Sequence, residues 1–444
     1  MKIGLIPIDN RPVCYILPKL IAGLDAELEL LMPERKLLGD LTKPADTDAI
    51  PAWIENLESV DAFVIALDTV AYGGLIPSRR STDTFEEISA RLGRFKIALK
   101  GKKVYAFSSI MRISNNNVNQ EEKPYWDKYG KKIFEYSYNL HRNGCAPAEV
   151  PAEILEDYLM TRRRNFEINK IYLEWQKEGI FDTLIFSKDD CAQYGLNVQE
   201  AGMLKSLGAV VKTGADEIPL SLIARAIEGC VKISPIYIEE SQKNLISNYE
   251  DIPIEECVKN QIELAGCKVV SEEEAEVELF INNFVKNQGE IVMKVQTEPF
   301  RGEWSKPDKN YAVADVRFAN GADNAFVKAL FDAGLDDKFL GYCAWNTSAN
   351  TLGSLIFALK LTILAKEKGT FNEDAFNRLM LTRFLDDWAY QANVRQELGS
   401  PDLSALKQKM SCYEKNLIAK FPTTRKINYE FPWNRLFEVE IDFI

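Results

Sequence analysis

The strongest candidate for chemistry in this sequence is a pair of adjacent carboxylates, Asp189 and Asp190, shortly after the apolar run 183–186. Two carboxylates that lie close together push their pKa values apart, so one stays protonated while the other stays ionised. Glycoside hydrolysis uses such a pair. With N-acetylated sugars, one carboxylate can orient the acetamido group while the other protonates the leaving oxygen. We therefore take Asp189 and Asp190 as candidate catalytic residues, with an acidic helix cap as the competing interpretation.

Polar residues also follow most of the other predicted strands. Each of them alone is explained by helix capping, but capping does not require the arginines that stand among them. In a parallel sheet these strand ends meet at one edge, where α/β proteins bind ligands. We therefore expect the following substrate-binding residues: Asp9, Asn10, Arg11, Asp68, Tyr72, Arg79, Arg112, Asn197, Asp216, Glu217, Trp345, Asn346, Thr347 and Asn350.

The run from Trp345 to Asn350 has the composition of a sugar-binding segment. An aromatic ring can stack on a pyranose while amides and a hydroxyl bond its oxygens. The competing interpretation is a buried Trp345 followed by a Thr or Asn helix cap. A second Asp pair, Asp386 and Asp387, lies inside a predicted helix, where a surface position is expected.

Composition excludes several classes of function. The net charge of −12 and a pI near 5 argue against a nucleic-acid partner, which requires a basic face. His141, the only histidine, excludes two-histidine metal sites and is expected near a helix end closed by Gly144. The strand-like N-terminus predicts no signal peptide, and no apolar run predicts a membrane span. The eight scattered cysteines are typical of reduced thiols, so we expect a cytoplasmic protein.

Two rival functions remain open at this stage. Asp9, Asp68 and Asp189 could hold Mg²⁺ or Mn²⁺ through oxygen ligands, as in a metal-dependent hydrolase or isomerase, although the first expectation is no cofactor and no metal ligand. The other rival is a non-enzymatic sugar-binding protein. In all three interpretations the partner is a small molecule, and a homodimer is one option for the assembly.

About ten apolar runs predict strands that alternate with helices, which indicates an α/β protein with largely parallel sheets. They cover residues 3–8, 29–32, 61–67, 103–108, 183–186, 210–212, 235–238, 277–282, 312–316 and 340–345. We expect two Rossmann-like α/β domains and a helical C-terminal region, because the segment 217–232 indicates a change of sheet. The alternative is a (β/α)₈ barrel with an inserted α/β domain.

The predicted domain limits follow from this alternation. Residues 1–215 form the first domain, with a polar helical insertion at 112–180 that we interpret as a lid over the site. Residues 216–353 form the second domain. Residues 354–444 form the helical C-terminal region, which ends in an aromatic, acidic tail expected to act as a docking arm.

Several of these stretches resemble an uncharacterised bacterial family known as domain of unknown function 4127. The resemblance rests on residues 7–13, 67–79, 188–197, 214–217 and 345–353, which together span most of the chain. Ala344 stands where this family's pattern predicts glycine. The resemblance implies a single site built from these stretches and no particular activity. Separately, the Asp-Asp pair is similar to that of O-GlcNAcase-type β-N-acetylglucosaminidases, whose surrounding sequence does not match.

Overall fold

The computed structural model describes residues 1–147 and 149–444, and the chain divides into two compact units. The first unit comprises residues 1–15, 30–219 and 249–251. The second comprises residues 16–29, 220–248 and 252–444. Each unit contains its own parallel sheet, as expected for two α/β domains. The limits predicted for the domains from the sequence stay a prediction.

The first unit is built on a six-stranded sheet whose members all come from apolar runs. Strands β3 and β4 are buried at every residue, as expected for strands covered on both faces. The sheet order is β2-β1-β3-β4-β5-β6, and every pairing from β1 to β6 is parallel. Its strands are β1 (Lys2–Ile6), β2 (Glu29–Leu31), β3 (Ala62–Ala66), β4 (Val104–Ile110), β5 (Thr183–Lys188) and β6 (Val211–Thr213).

Helices alternate with these strands along the chain. The helix α1 begins at Pro12, as the missing N–H of proline favours. The helix α6 ends at the left-handed Gly144, with His141 in its last turn, as the sequence predicted. Up to residue 226 the helices are α1 (Pro12–Ala22), α2 (Ala49–Asn56), α3 (Leu67–Tyr72), α4 (Leu75–Arg80), α5 (Phe85–Ala98), α6 (Trp126–Asn143), α7 (Ala152–Lys177), α8 (Leu196–Ser206) and α9 (Ile218–Ala226). Most of α1 and most of α9 belong to the second unit.

The second unit contains a five-stranded parallel sheet in the order β13-β11-β9-β7-β8. When these five strands are numbered in chain order, their order in the sheet is the same as the order of β1 to β5 in the first sheet. Both sheets are open and, over the described residues, neither closes into the barrel considered as an alternative. The strands of this unit are β7 (Lys232–Tyr237), β8 (Lys268–Val269), β9 (Val277–Asn282), β10 (Gly289–Glu290), β11 (Asn310–Asp315), β12 (Phe318–Ala319), β13 (Phe339–Cys343), β14 (Ile427–Glu430) and β15 (Glu440–Phe443).

The C-terminal region, residues 354–444, is mainly helical, as expected. Its tail folds as the antiparallel hairpin β14–β15, and Tyr429 donates a hydrogen bond to Glu414. Short 3-10 turns occupy residues 35–37, 240–242, 394–397 and 432–434. The helices of this unit are α10 (Ile254–Leu264), α11 (Asn324–Ala333), α12 (Ser348–Lys368), α13 (Glu373–Arg383), a π-helix (Phe384–Asn393) and α14 (Leu403–Ile418).

The helix α12 is the one described helix that is long and apolar enough to span a membrane. Its apolar window is fully buried inside the protein, which is what the core helix of a folded domain shows. Lys360 lies within it and donates to the carbonyls of Ala224, Ile227 and Ala265. A buried ammonium is tolerated here because three acceptors replace its hydration.

The expectation that Asp386 and Asp387 lie on the surface is wrong. Both residues are buried in the π-helix, and Asp387 has no exposed surface. Asp387 accepts a hydrogen bond from the Ala344 amide and lies 3.4 Å from the Arg383 guanidinium. The second Asp pair therefore has a structural role within the second unit.

Candidate functional site

The first sheet places its polar strand ends around a topological switch point. Its strand order reverses between β1 and β3, and open α/β sheets bind ligands outside the carboxyl ends of the strands at such a point. Asp9, Asn10 and Arg11 follow β1 here, and Asp68 lies in α3 directly after β3. The candidate site in this unit therefore lies where the fold itself favours ligand binding.

Arg11 joins two of the predicted carboxylates. Its Nε donates to Asp9 at 2.8 Å, and its Nη1 and Nη2 contact the two oxygens of Asp216 at 3.2 and 2.5 Å. The Asp9 carboxylate also accepts the Arg11 backbone N–H at 3.0 Å. Asp216 lies 205 positions from Arg11 in the sequence, but the three residues form one buried ion-pair group.

Arg112 holds the Asp pair. Its Nη1 donates to Asp190 Oδ2 at 2.9 Å and lies 3.7 Å from Asp189 Oδ2, so both carboxylates contact one nitrogen. The rest of its guanidinium donates to Glu121 at 2.8 Å and to Glu122 at 3.1 Å. The backbone at Asp190 has a φ of +31°, which is uncommon for a residue other than glycine and turns the chain sharply after β5.

Arg79 lies beside the same carboxylates but bonds differently. Its side chain is 1% exposed and lies 3.2 Å from Glu122, 3.7 Å from Glu121 and 3.9 Å from Asp189. Within the described part of the chain, none of its three nitrogens makes a hydrogen bond, and Asp189 Oδ2 accepts none. Buried donors and acceptors without partners are uncommon, because each costs about 1–3 kcal/mol.

We refer to these residues as the charged cluster: Asp9, Arg11, Asp68, Arg79, Arg112, Glu121, Glu122, Asp189, Asp190 and Asp216. Its carboxylates outnumber its guanidiniums. Burial raises the pKa of Asp68 to about 7, and burial together with the neighbouring Asp189 raises the pKa of Asp190 to about 7. Burial also raises the pKa values of Asp189 and Asp216, while nearby arginines oppose the shift. The cluster thus holds carboxyl groups able to exchange protons near neutral pH.

The loop that carries the Asp pair is fixed at both ends. On one side, Lys188 forms a buried ion pair with Asp251, which also accepts from Thr213 Oγ1 at 3.0 Å and from the Cys191 thiol. On the other side, His141 Nδ1 accepts the Gly195 N–H at 3.0 Å, which requires this nitrogen to be unprotonated. The single histidine therefore positions the loop.

The other predicted residues of this unit lie around the cluster. Asn10 pairs through its backbone with Gly39, and Asn197 is buried with its Nδ2 unbonded among the described residues. Glu217 accepts the Ala215 N–H and packs against Gly214. Tyr72 is buried, with the Arg164 guanidinium 5.4 Å from its ring centroid, and it lines a separate cavity of about 440 Å³.

The predicted residues from Trp345 to Asn350 belong to the second unit. Trp345 is 3% exposed, so stacking of a sugar would first require this side chain to open. Thr347 caps α12, since its hydroxyl accepts the Asn350 N–H at 3.3 Å. Asn346 has a φ of +61°, and its carbonyl accepts the Asn320 N–H. The described contacts of these residues are thus structural ones.

Sequence reasoning missed three residues that contact the site. Glu121 and Glu122 bind Arg79 and Arg112, and Asp251 binds Lys188. The adjacent Glu pair, shortly after a predicted strand that ends near Arg112, was a usable signal. Asp251 had none, because it lies sixty-three positions from its partner in a stretch of loop.

The cluster does not gather ligands for a metal ion. Over residues 1–147 and 149–444, no group of three or more His, Cys, Asp or Glu side chains could hold a metal. Arginines stand between the carboxylates instead, as Arg11 does between Asp9 and Asp216. The arrangement suits hydrogen bonding and proton transfer to a polar ligand.

Comparison with known proteins identifies the family. A family model described as "Protein of unknown function (DUF4127)" matches residues 3–442, so the chain belongs to this family. No curated protein matches the chain. No solved structure matches it either.

Proposed function

We propose that this member of the DUF4127 family is a glycoside hydrolase that acts on a small sugar, with N-acetylated sugars as the preferred class. The observation that carries the proposal is the arrangement of Asp189 and Asp190, two adjacent carboxyl groups with raised pKa values against one arginine. They follow β5 at the carboxyl edge of a parallel sheet, two strands along from β3, which borders the switch point.

The two carboxyl groups take different roles in this proposal. Asp190, with a pKa raised to about 7, is protonated in a sizeable fraction of molecules at neutral pH and serves as the general acid. Asp189 has both Arg79 and Arg112 within 4 Å, which favour its ionised form. Its Oδ2 accepts no hydrogen bond from the described residues, so it is available to accept the N–H of an acetamido group.

The proposed reaction has two steps, cleavage of the glycosidic bond and hydrolysis of a cyclic intermediate. Asp190 gives its proton to the glycosidic oxygen as the bond from that oxygen to the anomeric carbon breaks. The oxygen of the acetamido group attacks the anomeric carbon, while the N–H of the same group donates a hydrogen bond to the Asp189 carboxylate. Water then opens the cyclic intermediate, and the Asp190 carboxylate takes the proton of this water, which restores the starting state.

Arg79 fits a polar, largely uncharged substrate. Its unbonded nitrogens would donate to hydroxyl oxygens once the site opens to substrate, because the side chain is 1% exposed. Glu121, Glu122 and Asp189 surround it with negative charge. An additional anion would be repelled by these carboxylates. A neutral sugar satisfies the donors without adding charge to the cluster.

Substitution of the pair tests the proposal. Asp190→Asn is expected to lower kcat on aryl N-acetylglycosides by roughly 10²–10⁴-fold, the range for loss of a general acid. The same change at the exposed Asp48 is the matched control. Full activity of the Asp190→Asn protein on these substrates would contradict the assignment.

Two competing functions are separated by other measurements. Stoichiometric Mg²⁺ or Mn²⁺ in the purified protein, required for turnover, would support a metal-dependent hydrolase or isomerase. Calorimetric binding of a sugar with no turnover would support a non-enzymatic sugar-binding protein.

A further inference from the structure

The first unit contains a cavity that the proposed chemistry does not use. Its volume is about 440 Å³, and its lining residues come from the loop 40–47, the stretch 72–83 and Arg91. None of them belongs to the charged cluster. Small-molecule sites are typically clefts of roughly 300–1,000 Å³, so the cavity is large enough for a ligand of sugar size.

The walls of the cavity combine apolar surface with hydroxyl groups. One set of lining residues is apolar or aromatic: Leu41, Pro44, Ala45, Tyr72, Ile76 and Pro77. Another set carries hydroxyls: Thr42, Thr47, Ser81 and Thr82. Charges at the cavity balance, because its lining contains two arginines, Arg80 and Arg91, and two aspartates, Asp40 and Asp83. Arg91 pairs with Asp83 at 2.9 Å. This lining suits a neutral ring with many hydroxyls better than a phosphate or a dicarboxylate.

Close backbone packing forms one wall in advance of any ligand. A side chain at Gly73, which has a φ of +90°, would place its Cβ 2.5 Å from Pro44. A Cβ at Gly39 would lie 2.3 Å from the Gly73 carbonyl oxygen. Glycine is therefore required at both positions, and the loop 40–47 is held directly against the turn that follows α3.

The cavity and the charged cluster draw on neighbouring residues of the same two segments. Arg79 belongs to the cluster, and the next residue, Arg80, lines the cavity. Arg80 Nη1 donates to the carbonyls of Leu41 at 3.2 Å and Gln120 at 3.3 Å, and the residue after Gln120 is Glu121 of the cluster. At both places the chain passes within one position from the charged cluster to a residue that lines the cavity or is bonded to that lining.

We infer that this cavity is a second sugar subsite, which binds a further ring of the substrate next to the one that is cleaved. The inference rests on the proposed function, since it places the reacting ring at Asp189 and Asp190. It assigns the cavity-lining residues between Tyr72 and Thr82 to recognition of substrate length.

Filling the cavity tests the inference. Thr47→Trp places a large ring at a half-buried residue that lines the cavity. Ile97→Trp, at a residue that is 72% exposed, is the matched control. Kinetics are compared on a 4-nitrophenyl N-acetylglucosaminide and on the corresponding diacetylchitobioside. Binding of diacetylchitobiose is measured separately by calorimetry.

A subsite predicts a selective effect on the longer substrate. Thr47→Trp should raise KM for the disaccharide by about tenfold or more, equal to about 1.4 kcal/mol, with little change for the monosaccharide. Equal effects on both substrates, or none on either, would overturn the subsite. Thr82→Trp, at the exposed rim, provides a second filling variant should Thr47→Trp unfold.

Binding and turnover separate the two proposals. If the native protein cleaves neither glycoside but binds diacetylchitobiose, and Thr47→Trp abolishes that binding, the proposed reaction fails and the sugar site stands. If the native protein does not bind the disaccharide in calorimetry, the subsite is overturned whatever the turnover of the monosaccharide.

Discussion

Arg112 Nη1 lies 2.9 Å from Asp190 Oδ2, and this ion pair opposes the forces that keep Asp190 protonated. Burial and the negative charge of Asp189 raise the pKa of Asp190, whereas Arg112 lowers it. The balance leaves the pKa at about 7. The pH dependence of the reaction is therefore sensitive to both neighbours, in opposite directions.

A general acid acts only while it is protonated, so we expect kcat to fall as the pH rises through about 7. Asp189→Asn removes a negative neighbour, which lowers the pKa of Asp190 and moves this decline to lower pH. Arg112→Gln removes a positive neighbour and moves it to higher pH. Steady-state profiles of kcat from pH 5 to pH 9 measure both shifts. A decline at the same pH in both variants would show that Asp190 is not the titrating acid.

Stability should also depend on pH through Asp68. Its pKa is raised from 3.8 to about 7 in the folded protein, chiefly by burial. The folded state therefore binds this proton more tightly than the unfolded state. The stability it contributes is full below about pH 3.8, falls as the pH rises and is lost above about 7. Asp68→Asn should flatten that loss, which is on the order of a few kcal/mol. Urea unfolding of both proteins at pH 5 and pH 8 checks it, with Asp48→Asn as a control.

The ion pair between Lys188 and Asp251 should contribute strongly to stability. Both side chains are less than 10% exposed, and removing one partner of a buried pair typically costs about 3–5 kcal/mol. Asp251→Ala is expected to lower the free energy of unfolding by this amount. Glu240→Ala, which removes a partner of Lys243 from an exposed pair, should cost less than about 1 kcal/mol. Chemical denaturation measures both values.

The same substitution should expose Cys191. Its thiol is buried and contacts Asp251, and burial together with that carboxylate raises its pKa well above the ordinary value. In the native protein, iodoacetamide should modify the exposed Cys145, Cys230 and Cys412 well before Cys191. Asp251→Ala should accelerate labelling of Cys191, and mass spectrometry measures the extent of labelling over time. Unchanged labelling would indicate that other contacts hold the loop.

Gly214 is expected to tolerate no side chain. It has a φ of +115°, and an added Cβ would lie 1.7 Å from Glu217 Oε1. Gly214→Ala should therefore displace Glu217 from the Ala215 amide and destabilise the protein by about 1–3 kcal/mol. Gly202→Ala, in α8 with nothing near its Cβ, should instead stabilise by roughly 0.5–1 kcal/mol. Thermal unfolding distinguishes the two signs.

Much of the fold was predictable because apolar runs indicate the buried strands and the polar segments between them indicate where the strands end. Each of the ten predicted strands overlaps an observed one, and the change of sheet falls between β6 and β7, within the stretch where the sequence indicated it. The repeated strand order was not predictable, because the order of strands in a sheet depends on tertiary pairing and leaves no local pattern.

The candidate site was predictable in part for the same reason. Residues at strand ends, such as Asp9, Arg112 and Asp216, do meet in the first unit because parallel strands share one edge. Burial was harder to anticipate. Asp387 and Trp345 are buried through helix packing in the second unit, which the neighbouring residues in the sequence do not reveal.

The assignment of residues 249–251 to the first unit has a consequence for dissecting the protein. The chain passes from one unit to the other five times, so no single cut in the sequence separates them. A fragment that ends at Pro219 would omit Asp251 and leave Lys188 as an uncompensated charge in its interior. It would also carry residues 16–29 without the rest of their unit. The two halves are therefore not interchangeable modules, and exchanging one with a relative requires at least three segments to be transferred together.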